Sequence, residues 1–136
     1  MDKDKQFYVG QKAFIERKGE VLVLIDPDLG VDLPGGKIQI GEYDFDEALK
    51  REVFEEAGIV IDIGQPFTRW YFKFKDGHRN EGKEVYLVGF KCIYLSGEVK
   101  ISDEHSEFEW VNKISYRELD DGSGHFKALE KYFLGT

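Results

Sequence analysis

Residues Gly35 to Ile59, GGKIQIGEYDFDEALKREVFEEAGI, constrain this chain more than any other stretch. Pro34, Gly35 and Gly36 read as a loop, and a helix should follow from about Asp44 to Ala57. Asp44 and Glu47 have the D-x-x-E spacing of a capping box, and Gly58 supplies the stop. An ideal helix advances about 100° per residue. With Val53 at zero, Leu49 falls near about −40°, Ala57 near about +40° and Phe45 near about −80°. These four residues form the apolar stripe. Glu56 falls near about −60°, Glu52 near about −100° and Glu55 near about −160°, so a carboxylate sits at the edge of the buried stripe.

That placement is electrostatically unfavourable. Glu52 stands i,i+3 from Glu55 and i,i+4 from Glu56, spacings at which like charges repel. All three lie near the negative end of the helix dipole. A solvated acidic face would normally interleave bases, yet Lys50 and Arg51 precede the cluster and none follows until Arg69. A hard divalent cation, Mg²⁺ or Mn²⁺, held by several carboxylates would relieve every penalty together.

Around this helix the chain reads as strands. YVGQKAFIE and EVLVLI flank the turn at Arg17 to Gly19 as a hairpin, and VDLPGGKI is a short strand entering the glycine loop. TRWYFKF (Thr68 to Phe74) and EVYLVGFKCIYL (Glu84 to Leu95) read as long strands joined by the polar loop Lys75 to Lys83. EFEWV is a further strand, and HFKALEKYF sets Phe126, Leu129, Tyr132 and Phe133 on one helical face. Strands with two unequal helices predict an α/β fold, a mixed sheet covered on both faces as an α/β/α sandwich. A chain of 136 residues suits one domain spanning 1–136, with eleven Phe and seven Tyr to fill its core.

A net charge of −8 offers no basic footprint for duplex nucleic acid. Polyphosphate can still bind an acidic protein through intervening metal ions. Cys92, in a strand and expected in the core, is the only cysteine, so no internal disulfide forms. MDKDKQFY contains no apolar leader, and no apolar run is long enough to span a membrane. A cytoplasmic protein, monomer or homodimer, is the expectation.

The helix and its loop resemble the Nudix hydrolases, whose motif is G-x5-E-x7-R-E-U-x-E-E-x-G-U, with U a bulky apolar residue. Gly36, Glu42, Arg51, Glu52, Val53, Glu55, Glu56, Gly58 and Ile59 fill every named position, and LPGG (Leu33 to Gly36) resembles the family's approach to it. One departure exists: eight residues, Tyr43 to Lys50, separate Glu42 from Arg51 where the pattern has seven. Because Asp44 already caps the helix, the added residue belongs to the loop near Tyr43, and the position of Glu42 against Arg51 is put in question. Downstream, SDEHSEFEWV resembles the family's acidic loop and Trp-bearing strand, with Glu104 the first candidate and Glu107 the second.

The resemblance implies a Nudix-type sandwich and a pyrophosphohydrolase that cleaves a nucleoside diphosphate linked to another moiety, by water attack on phosphorus. It further implies Glu52 and Glu56 as metal ligands, Glu55 sharing the coordination, and the Gly35 carbonyl contributing. Glu52 is the expected general base, Arg51 the holder of a carboxylate with Glu42 as partner, and Glu104 a completing acid. Lys37 and Gly36 are candidates for substrate phosphate. Tyr71 is the candidate for base stacking, since a strand sends it to the face opposite Trp70 and Phe72. His78, His105 and His125 are expected at the surface, with His105 beside Glu104. A small chain favours a nucleoside triphosphate or modified nucleotide as substrate. An ADP-ribose or nucleotide-sugar hydrolase is the alternative, and a non-catalytic nucleotide-binding module of the same fold is a third reading.

Overall fold

A computed structural model describes residues 2–75 and 77–135. Its elements run β1 (Tyr8–Arg17), β2 (Glu20–Asp26), β3 (Gly30–Asp32), β4 (Gly35–Lys37), α1 (Phe45–Ala57), β5 (Val60–Lys73), β6 (Glu84–Ser96) and β7 (Glu107–Val111). A 3₁₀ turn (Ser115–Leu119) and α2 (Gly124–Leu134) complete the chain. The strand order is β3-β2-β1-β6-β5, with β4 also pairing β1 and β7 pairing β2. Among the described residues only β1 and β6 run parallel; the other pairs are antiparallel, which makes the sheet mixed.

Strand alternation builds a core on each face. Ala13 and Ile15 of β1 join Leu22 and Leu24 of β2 beneath Leu49, Val53 and Ala57 of α1. Phe14, Val21 and Val23 point the other way, to Phe126, Ala128 and Leu129 of α2. Two helices therefore cover opposite faces of one sheet, and the α/β/α sandwich is the observed fold. Cys92 lies in the α1-side core, where burial pushes its thiol up to about 12.

Helix α1 starts and stops where its sequence dictates. The Asp44 side chain accepts from the Glu47 N–H at 3.2 Å, and Gly58, at φ 72°, donates its N–H to the Phe54 carbonyl. Three expectations need correction. Phe45 is 49% exposed, because the first residue of the helix overhangs the sheet instead of covering it. Gly35–Lys37 is a strand, not a loop: it lies against β1 in the register Gly10↔Lys37, Gln11↔Gly36, Lys12↔Gly35. The strand read from Thr68 begins at Val60, its register broken on both sides of Pro66. Proline is tolerated there because β5 is an edge strand. In the hairpin loop, residue 76 falls outside the described residues.

Candidate active site

The site forms where α1 packs against β4. Gly35, at φ 139°, lies so close to β1 that a Cβ would meet the Gln11 carbonyl oxygen at 2.0 Å, which only glycine avoids. Its N–H donates to Glu56 Oε2 at 3.1 Å. Glu56 is 6% exposed, and burial pushes its carboxyl up to about 7; Lys12 opposes that shift and Asp32 adds to it. Glu52, one turn earlier, rests against Gly36, where a Cβ would stand 2.8 Å from its Oε2. Burial raises this carboxyl too, against the opposing pull of Arg51.

Arg51 gathers the remaining motif carboxylates. Its Nη2 donates to Glu42 Oε2 at 2.9 Å and to Glu52 Oε1 at 3.1 Å, while Nη1 donates to both oxygens of Glu55 at 3.0 and 3.1 Å. Glu42 thus reaches Arg51 despite the added loop residue, and Tyr43 beside it is 84% exposed, as an insertion displaced from the helix should be. The Gln39 N–H and Arg51 hold the Glu42 carboxyl below its usual range. The supposed lack of an interleaved base is corrected, since Arg51 reaches forward one turn to Glu55. Glu55 itself points to solvent on Arg51 and does not line the cleft, in keeping with its angular distance from Glu56. Gly58 acts at the helix end.

A buried polar cluster behind these carboxylates escaped the sequence reading. Lys12 Nζ stands 3.0 Å from Asp32 Oδ1 and donates to the Leu33 carbonyl at 3.1 Å. Asp32 also receives His105 Nε2 at 3.0 Å and His125 Nε2 at 3.4 Å. Burial alone would raise the Asp32 carboxyl, but Lys12 and the two histidines outweigh it and hold it well below the carboxylate range. His105 and His125 are buried, which corrects their expected surface position. A charged residue inside each apolar run (Lys12 before Ala13-Phe14-Ile15, Asp32 between Val31 and Leu33) was the available signal, because buried charges occur in pairs.

In front of the carboxylates opens a cleft of about 260 Å³. Lys37, Phe72, Phe74, His78, Arg79 and Glu104 surround it. Burial, with the charges of Lys83 and Arg79, lowers the Lys37 ammonium, whose Nζ lies 5.0 Å from the Phe74 ring centre. Phe74 stacks on His78 at 4.7 Å, so that histidine is a cleft residue. Tyr71 is not brought to the cleft. Alternation turns it to the opposite face, where its hydroxyl donates to Glu84 at 2.8 Å and its ring meets Phe7 edge-on. The neighbours Phe72 and Phe74 line the cleft instead.

The downstream loop is tied back to α1. Lys100 N–H donates to the Ala57 carbonyl, Ser102 N–H to the Glu56 carbonyl and Ser106 N–H to the Ile25 carbonyl. These ties carry Glu104 to the cleft beside Arg79, at 3.8 Å. Glu107 opens β7, is exposed, and lies outside the cleft. The donor set of Glu52, Glu56 and Glu104 is all carboxylate and suits a hard divalent cation. Burial raises the Glu56 carboxyl by more than Lys12 and the Gly35 N–H lower it.

Known proteins resemble this chain in sequence and in fold. The family model described as NUDIX domain matches residues 9–132. Nucleoside triphosphatase NudI of Salmonella schwarzengrund is 33% identical over 110 residues, covering 72% of this chain and 74% of that protein. The crystal structure of a MutT protein from Methanosarcina mazei superposes with a TM-score of 0.78 at 28% identity, covering 98% and 97% of the two chains. A MutT protein from Bacillus halodurans gives 0.73 at 26% identity, over 93% and 82%.

Proposed function

The chain belongs to the Nudix family of pyrophosphohydrolases, and from that premise we propose that it hydrolyses a nucleoside triphosphate, or a modified form of one, with Mg²⁺ or Mn²⁺. The observation that carries this reading is the pair of carboxylates, Glu52 and Glu56, set around the Gly35–Gly36 backbone at the floor of a cleft walled by Lys37 and Arg79. Similarity to a nucleoside triphosphatase supports the choice of substrate class. The bound cation would neutralise phosphate oxygens and lower the pKa of attacking water.

In this reading Glu56, Glu52, Glu104 and the Gly35 carbonyl face the cation. Glu52 takes the proton of the attacking water, its carboxyl raised by burial against the pull of Arg51. Arg51 fixes Glu52 from the far side, and Glu42 and Glu55 fix Arg51. Lys37 and Arg79 supply positive charge for the phosphate chain, with the Gly36 backbone allowing its close approach. Phe72 and Phe74 offer rings against which a base stacks.

The test is turnover of a panel of triphosphates, modified triphosphates, ADP-ribose, nucleotide sugars and dinucleoside polyphosphates with each metal, products being identified by mass. A triphosphate should be cleaved with the highest kcat/KM. Preference for ADP-ribose or a nucleotide sugar overturns the substrate class. Tight binding without cleavage under either metal would replace the enzyme with a binding module.

A further inference from the structure

We propose that His105 Nδ1 is a ligand of the divalent cation, joining Glu56 and Glu104, with Asp32 as the positioning residue behind it. This rests on the metal dependence proposed above and adds a nitrogen donor to an otherwise all-oxygen set. The His105 side chain is 2% exposed. Its Nε2 lies 3.0 Å from Asp32 Oδ2, whereas its Nδ1 is buried and has no hydrogen-bond partner among the described residues.

Asp32, kept charged by Lys12, accepts at Nε2, so a neutral imidazole carries its proton there and its lone pair at Nδ1. That lone pair faces Glu56 Oε1 at 4.0 Å, too long for a hydrogen bond. Glu56 has already used Oε2 on the Gly35 N–H. Two electron-rich atoms facing one another across a buried gap repel unless a proton or a metal cation stands between them. Ligands bound at about 2.1 Å to one ion lie about 3.0 Å apart when adjacent and about 4.2 Å apart when opposite, so the gap admits an ion. One oxygen of Glu104 completes a group whose three ligand atoms all lie within 4.8 Å of one another.

A carboxylate bonded to the far nitrogen of a metal-bound imidazole is the usual means of fixing its tautomer and orientation. Asp26, Asp32 and His105 form a second such grouping, on the Nε2 side of the ring. There the Lys12 ammonium, 3.0 Å from Asp32, already provides the positive charge and repels another cation. The Nδ1 side remains. Imidazole suits first-row transition metals better than Mg²⁺, and Mn²⁺, which also accepts the carboxylates, is the paramagnetic probe of the site.

Pulsed electron paramagnetic resonance of the full chain loaded with Mn²⁺ alone, without nucleotide, decides the matter. Directly bound imidazole should give ¹⁴N modulation. The chain has three histidines, so His78→Asn, His125→Gln and His105→Gln assign the signal. The modulation should survive the first two and vanish in the third, with Mn²⁺ affinity falling at least about tenfold, the lower end of the range known for losing a supporting partner. If His105→Gln does not fold, the wild-type spectrum and the other two variants still decide. Mn²⁺ binding without ¹⁴N modulation, or modulation lost with His78 or His125, overturns the nitrogen ligand and leaves the metal-dependent reading intact. Failure to bind Mn²⁺ at all overturns both.

Discussion

Substituting Glu56 by Gln should flatten part of the protein's pH dependence of stability when metal is removed by chelation. In the fold the Glu56 carboxyl rises from 4.5 to about 7, chiefly because it is buried. The neutral form is therefore the one the fold prefers. Its stabilising contribution is complete below pH 4.5 and is lost as the pH rises through about 7. At about 1.4 kcal/mol per pKa unit, the loss is about 3 kcal/mol, of which most falls between pH 5 and pH 8. Glutamine keeps an oxygen for the Gly35 N–H and has no charge to desolvate, so it should resemble the protonated side chain at every pH. Urea unfolding with chelator at pH 5 and pH 8 measures the effect. The wild type should lose about 2–3 kcal/mol more than Glu56→Gln across that interval. Saturating Mn²⁺ at pH 8 should restore about 3 kcal/mol to the wild type at 100 times Kd. Identical pH slopes in the two proteins would refute the assignment of Glu56 as an under-compensated buried carboxylate.

Lys12→Met removes the ammonium that Asp32 and Glu56 share and should destabilise by about 3–5 kcal/mol in urea titration, as breaking a buried pair does; a loss below about 1 kcal/mol would place Lys12 with exposed pairs. Gly36→Ala sets a methyl 2.8 Å from Glu52 Oε2, so kcat should fall well before the unfolding midpoint does; unchanged kcat would argue against Glu52 acting beside Gly36. Phe72→Ala should raise KM for the nucleotide, whereas Tyr71→Phe, altered on the opposite face, should leave KM as it is; steady-state kinetics giving the reverse order would relocate the substrate.

What could be read from the chain depended on how local its cause was. Helix α1 was legible to its caps because Asp44, Glu47 and Gly58 act within a few residues. The angular positions of Glu52 and Glu56 followed from the same period, whereas Glu55, expected to share the coordination, turns outward onto Arg51. Strand β4 was hidden because two glycines carry no strand preference, and its structure is imposed by β1, 23 positions earlier at the pair Lys12↔Gly35. His105 and His125 were misplaced for a like reason. Their partner Asp32 is 73 residues from His105, and nothing near either histidine in sequence announces it. Alternation correctly separated Tyr71 from Phe72, but which of them met the cleft depended on β6 and α2, whose placement is tertiary.

The most direct measurement is cleavage of the preferred nucleoside triphosphate in H₂¹⁸O by the wild type, Glu52→Gln and Glu56→Gln, with Mg²⁺ or Mn²⁺ present and the products weighed. One ¹⁸O should appear on a phosphorus of the wild-type products, and each variant, still folded by circular dichroism, should lose about 10²–10⁴ in kcat/KM. Normal turnover by both variants would contradict the site, and an ¹⁸O found on carbon would contradict the reaction.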